Sequence, residues 1–175
     1  MSEDLRYPVG KFAREAQIDA ATRSALIAQI AEAPAQLAAA VRGLTDAQLD
    51  TPYRPDGWTL RQVAHHVPDS HMNAYIRCKL AVTETNPPVK TYNEAAWAEQ
   101  ADARRMPVGP SMDLLRLLHE RWVLWLRSLD DSAFARTAVH PEHGPMRVDD
   151  FLQLYAWHGR HHAGHITGLR KRMGW

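Results

Sequence analysis

Two histidines, His158 and His162, stand four residues apart in the C-terminal stretch FLQLYAWHGRHHAGHITGLRKR. On a helix that spacing puts both imidazoles on one face, close enough to reach a single ion. Imidazole nitrogen is the commonest protein ligand for zinc and its neighbours. A catalytic zinc takes about three such ligands and keeps a position for water. At about 100° per residue, His158 and His162 fall at the centre of the apolar stripe begun by Phe151, Leu154 and Tyr155. Histidine therefore stands where leucine is expected. His165 lies on the same stripe and His161 at its edge. That second pair has the same spacing, and the inward direction of His158 and His162 favours them. A single inward histidine is ordinarily a hydrogen-bonded core residue. Several buried together are costly without partners, and a shared ion removes that cost.

A third ligand must come from a facing helix. The other histidine-dense segment carries His65, His66 and His71. His66 shares a helix face with Ser70, Asn73 and Arg77, a polar row bordering an apolar stripe and readable as a pocket wall. Asn73 and Arg77 are the candidates to bind the polar groups of a cosubstrate. His65 points farther from the stripe, and His71 lies on it as a core histidine. Asp69 faces outward, which gives it a structural or supporting role. Cys78 has no basic neighbour that would activate it and reads as a small packing residue.

The elements that must position these groups follow from periodicity and punctuation. After an irregular arm of about twenty residues, an alanine- and leucine-rich helix runs from about Ala20 to Arg42, with Pro34 as a kink and Gly43 as its stop. Thr45 to Gln48 has the form of a capping box and opens a short helix. A loop from Thr51 to Gly57 leads to Thr59, which caps a helix reaching about Val82, bent at Pro68. A long connection, about Thr83 to Pro110, holds a helical piece near Asn93 to Arg104. Ser111 caps the third long helix, striped by Leu114, Leu115, Leu118, Trp122, Trp125 and Leu129. HPEHGP marks the turn of a small hairpin within Thr137 to Val148. Asp149 or Asp150 then caps the last helix, which ends in Arg170, Lys171 and Arg172, charges that suit a helix C-terminus. Trp122 and Trp125 read as packing residues, Trp157 as packing beside the pocket, and Trp58 as a staple at a helix start. Four long striped helices predict an all-α four-helix bundle, residues 1–175 forming one domain.

Composition narrows the function classes. A net charge of +1 and the lack of a basic run give nucleic acid and membrane surfaces nothing to hold. The single cysteine excludes an internal disulfide and a thiolate zinc site. The polar N-terminus has no apolar signal core, and no apolar run of spanning length is evident, so the cytoplasm is the expected location.

The strings DGWTLRQVAHHVPDSHMNAYIRCKLA (56–81) and YAWHGRHHAGHITGLRKRMGW (155–175) closely resemble the YfiT family, within the wider DinB-like superfamily. The similarity extends from the RYPVGKF arm through PPVKTYNEAAWA to HPEHG. The resemblance implies an up-down-down-up four-helix bundle, a homodimer, and one divalent metal per chain, zinc or nickel, on three histidines. Two of these map onto His158 and His162. The third maps onto the doubled histidine. His66, followed by Val67-Pro68-Asp69, fits the family pattern, with His65 as the fallback.

Family members are described as metal-dependent hydrolases, so the first expectation is a small-molecule hydrolase whose metal activates water. The sequence fixes no general base for it. Relatives in the superfamily are S-transferases or isomerases using a low-molecular-weight thiol such as bacillithiol or mycothiol, which gives the second expectation. The third is a non-enzymatic structural or sensing metal, which a closed four-ligand site completed by His161 or His165 would favour.

Overall fold

The computed structural model describes residues 4–175. Four long helices carry the fold: α1 (Ala20–Val41), α3 (Leu60–Thr83), α6 (Gly109–Arg127) and α8 (Val148–Met173). Between them lie the short helices α2 (Asp46–Leu49), α4 (Glu94–Ala98), α5 (Ala101–Arg105) and α7 (Asp131–Phe134), and the strands β1 (Thr137–His140) and β2 (Gly144–Arg147). The strands pair antiparallel, from Thr137 with Arg147 to His140 with Gly144.

Helix directions follow from which residues meet. Along α1 and α8, Arg23 pairs with Asp149 and Arg170 bonds the Ala40 carbonyl, so these helices run parallel. His65 meets Ser111 and His71 meets His119, so α3 and α6 are parallel too. Ser70 meets Tyr155 while His66 packs on His162, which makes α3 and α8 antiparallel. The order is up, down, down, up. Because α3 and α6 point the same way, the chain must travel back the length of the bundle between them. The long connection with α4 and α5 does this, and α5 packs on α3.

Two boundaries differ from the sequence expectation. Helix α6 starts at Gly109 rather than being capped by Ser111, whose hydroxyl is instead bonded to His65 Nδ1 at 2.7 Å. Helix α8 is capped from Arg147, with the Asp150 carboxylate accepting the Arg147 backbone N–H. Both Asp149 and Asp150 thus lie inside the first turn, where their charge suits the positive helix end. The other caps follow the sequence: Thr45 with Gln48, and Thr59 with Gln62, form reciprocal boxes. The connection near Asn93 to Arg104 is two short helices, not one piece.

The core has two parts. One gathers Ile27, Ile30, Trp122, Leu126, Phe134, Phe151 and Leu152. The other gathers Leu37, Leu60, Val63, Leu115, Ile166 and Leu169. On α6 the buried stripe is Leu115, His119, Trp122, Val123 and Leu126, rotated from the expected one, while Leu114 is exposed. Contrary to the sequence expectation, α1 is long and apolar enough to cross a membrane by length and composition. Within the bundle it packs against α6 and α8.

Candidate metal centre

Helix α3 and helix α8 cross with His66 facing His158 and His162. The His66 ring centroid lies 5.4 Å from that of His158 and 4.9 Å from that of His162. One ring nitrogen from each falls within 4.8 Å of those from the other two. No further His, Cys, Asp or Glu among the described residues joins this group. The structure thus brings together the three histidines expected from the sequence. His65, the alternative, is spent elsewhere, bonded through Nδ1 to Ser111 and through Nε2 to the Met106 carbonyl.

The three imidazoles are neutral. Burial lowers the His66 pKa to about 4 and holds His158 and His162 well below the ordinary histidine value, with neighbouring histidines adding to the effect. Neutral imidazole is the form with a lone pair to give.

Hydrogen bonding selects which nitrogen offers that pair. His119 Nδ1 lies 2.6 Å from the Ile30 carbonyl oxygen, which can only accept, so Nδ1 carries the proton. His119 Nε2 must then accept from His71 Nδ1, 2.8 Å away. His71 Nε2 in turn accepts from His158 Nδ1 at 3.1 Å. The proton of His158 is therefore held on Nδ1, and Nε2 is left open. A second relay does the same for His162. His165 Nε2 donates to the Arg6 carbonyl at 3.2 Å, so His165 Nδ1 accepts from His162 Nδ1 across a long 3.4 Å. Both α8 histidines thus turn an unprotonated Nε2 away from their anchors, and among the described residues neither ring nitrogen of His66 has a hydrogen-bond partner. Ligating histidines commonly have their other nitrogen fixed in this way.

The anchor of the first relay originates in α1. Pro34 has no N–H, so the carbonyl of Ile30, four residues back, loses its helical partner. His119 supplies the missing donor. The sequence reads Pro34 as a kink; the structure shows the freed carbonyl in use. No local pattern marks His119 in the sequence, although it lies four residues after Leu115 and three before Trp122, on the buried face of α6.

The alternative trio of His161, His162 and His165 also has nitrogens within 4.8 Å of one another. It is the poorer donor set, because both nitrogens of His165 are engaged and its ring stacks on Tyr53 at 4.0 Å.

The centre opens into a cavity of about 740 Å³. Its walls include Trp58, Ser70, Arg77, Tyr92, Tyr155 and Trp157. Trp58 does more than staple a helix start, since its ring packs 4.9 Å from that of His66. Trp157 stacks on His161 and donates to the Gly10 carbonyl, tying the N-terminal arm to the cavity. From the hairpin come His140, Glu142 and His143, which the sequence reading did not place at the site. Glu94 also lines it. Exposed by area, its carboxyl still sits among enough protein atoms that burial raises its pKa, against the pull of Arg77. Of the two expected cosubstrate binders, Arg77 lines the cavity and Asn73 does not. The Asn73 amide folds back one turn to the Asp69 carbonyl, as a polar side chain with no ligand to meet does on a helix. Asp69 stays outside the cavity, with its pKa raised to about 6 by burial and by Asp102. Cys78 is fully enclosed and its thiol pKa is pushed up, which makes it inert packing.

Comparison with known proteins agrees with this site. A protein of Bacillus mycoides (strain KBAB4) is 50% identical over 173 residues, 99% of each chain. One of Bacillus cereus (strain 03BB102) is 50% identical over 172 residues, 98% of this chain and 99% of its own. Both carry the name "Putative metal-dependent hydrolase". YfiT from Bacillus subtilis, described as a probable metal-dependent hydrolase with an unusual four-helix bundle topology, superposes with a TM-score of 0.96 at 45% identity over 99% of each chain. TT2238, a four-helix bundle protein, shares the fold at a TM-score of 0.57 and 20% identity, over 85% of this chain and 98% of its own. The family model of the DinB superfamily matches residues 29–166, and on these grounds the chain belongs to that superfamily.

Proposed function

We propose that the protein is a metal-dependent hydrolase of small molecules, with one divalent ion, zinc or nickel, held by His66, His158 and His162. The observation that carries this reading is the convergence of three neutral imidazoles, His66 and His162 buried and His158 half-buried, the α8 pair with Nε2 left open, on the floor of a polar cavity. Three nitrogen donors with no fourth side chain in the group suit a catalytic ion more than a closed structural one. When bound, such an ion supplies Lewis acidity and lowers the pKa of water. The protein's own part is to hold protons on His158 Nδ1 and His162 Nδ1, to shield the centre with Trp58 and Trp157, and to bind substrate along the cavity. Asp56, Glu94 and Glu142 are the carboxylates of the cavity available to take up a proton.

A second reading is metal-dependent transfer of a low-molecular-weight thiol to an electrophile. The cavity of about 740 Å³, within the ordinary range of a small-molecule pocket, and the Arg77 guanidinium on its wall are compatible with a thiol cosubstrate. Turnover of an activated ester without thiol supports hydrolysis; strict dependence on added thiol supports transfer.

The decisive measurement is the metal content of protein purified without added metal, beside a His158→Ala, His162→Ala double variant. A single ion per chain in the wild type and none in the variant is expected. A wild-type protein that neither carries nor takes up zinc or nickel would refute both enzymatic readings.

We also propose a homodimer, through the α6 face that exposes Leu114, Leu117 and Leu124. Replacing Leu117 and Leu124 by glutamate should halve the mass measured by sedimentation. A wild-type monomer at micromolar concentration would rule the dimer out.

A further inference from the structure

Three arginines are buried in this protein or nearly so, and their partners differ. Arg61 is held by Asp46 and Asp50, and Arg23 by Asp131 and Asp149. Arg77, only 8% exposed, has no carboxylate partner among the described residues. Its Nη2 donates to the Lys90 carbonyl at 2.8 Å, while its Nε is buried without any hydrogen-bond partner. The hydroxyl of Tyr92, two residues beyond Lys90, is likewise buried and unpartnered. Both side chains line the same cavity as the histidine centre. A buried guanidinium without an anion is expensive. Asp56, Glu94 and Glu142 line that cavity too, and Glu94 lies near enough for the guanidinium to pull on its pKa, yet none of the three forms an ion pair with Arg77.

The placement is fixed by helix geometry. Arg77 follows His66 by eleven residues, which is about three turns, so the two share a face of α3 with their backbones about 16 Å apart along the axis. We propose that Arg77 and Tyr92 form an oxyanion subsite, and that the molecule acted on is extended, with its reacting atom at the histidine centre and a carboxylate or phosphate at Arg77. This rests on the reading of His66, His158 and His162 as the reaction centre. The flat guanidinium fork suits an oxyanion, and the Tyr92 hydroxyl adds a neutral donor.

The test uses full-length protein, metal-free and zinc-loaded, titrated with acetate, inorganic phosphate and, as a neutral control, acetamide. The readouts are the Arg77 Nε–H resonance, assigned by its loss in Arg77→Gln, and the Tyr92 ring signals. Acetate or phosphate should shift both saturably, and acetamide should not. Affinity read at Tyr92 should fall about tenfold or more in Arg77→Gln, with part recovered in Arg77→Lys. Unchanged oxyanion affinity in Arg77→Gln, or no response at the Arg77 resonance, overturns the subsite. A response confined to zinc-loaded protein and retained in Arg77→Gln places the anion on the metal, which also overturns it but leaves the metal centre standing. If the protein takes no zinc and Arg77 still responds, the subsite stands and the metal reading falls.

Discussion

At the scale of single residues, the protein places protons with groups that lie outside the lining of the cavity. His71 and His119 act through His158, and Pro34 acts through the Ile30 carbonyl it sets free. Replacing His71 by phenylalanine should weaken zinc binding by about 10- to 100-fold, as loss of a ligand's hydrogen-bond partner typically does. Competition with a chelator measures this. Nitrogen-15 spectra add a signature that a packing defect would not move: His158 should carry its proton on Nδ1 in the wild type and exchange between tautomers in the variant. Unchanged affinity and an unchanged tautomer would show that the relay does not position the ligand. His71 was legible in the sequence as a core histidine, but its partner His119 was not, because one imidazole among Leu115 and Trp122 has no local mark that tells a relay from packing.

At the scale of elements, the centre depends on how closely α1 and α8 approach. Gly159, next to His158 of the candidate centre, lies against α1, where an added Cβ would come within 2.9 Å of the Ala33 Cβ. Real Cβ atoms do not sit that close, so Gly159→Val must push the helices apart. It should lower stability by about 2 kcal/mol, within the usual cost of overpacking, read from the denaturation midpoint in urea. A variant as stable as wild type would mean that the bundle absorbs the change by sliding. The periodicity of α8 places His158 and His162 on its inward face from sequence alone, whereas His66 borders the α3 stripe and is preferred to His65 through the family resemblance. The rotation of α6 could not be read so well, since leucines on both of its faces blur the stripe.

At the scale of the whole molecule, the density of buried imidazole makes stability depend on pH. Burial lowers the pKa of His66, His119, His161 and His165 to about 4 and that of His71, His158 and His162 well below the ordinary value. The unfolded chain therefore binds more protons than the native one between about pH 6.5 and pH 4. The stabilisation is fully present above about pH 6.5 and is lost as pH falls through that window. Metal-free protein should unfold cooperatively there, followed by far-ultraviolet circular dichroism. Zinc, which needs the neutral ring, should move the midpoint to lower pH. A flat stability profile from pH 7 to pH 4 would contradict the burial of these groups.

Sequence by itself determined the bundle, the helix caps at Thr45 and Thr59, and the inward His158 and His162, because helical periodicity and capping are local and need no knowledge of neighbours. It also carried the family resemblance that implied the bundle's direction order. Only the tertiary structure decided the use of His65, the relay through His119 to a carbonyl freed by Pro34, the hairpin's place at the cavity and the buried Arg77 Nε left without a hydrogen-bond partner. Each of these depends on which atoms from distant parts of the chain come within hydrogen-bond reach, a distance that no spacing along one helix encodes.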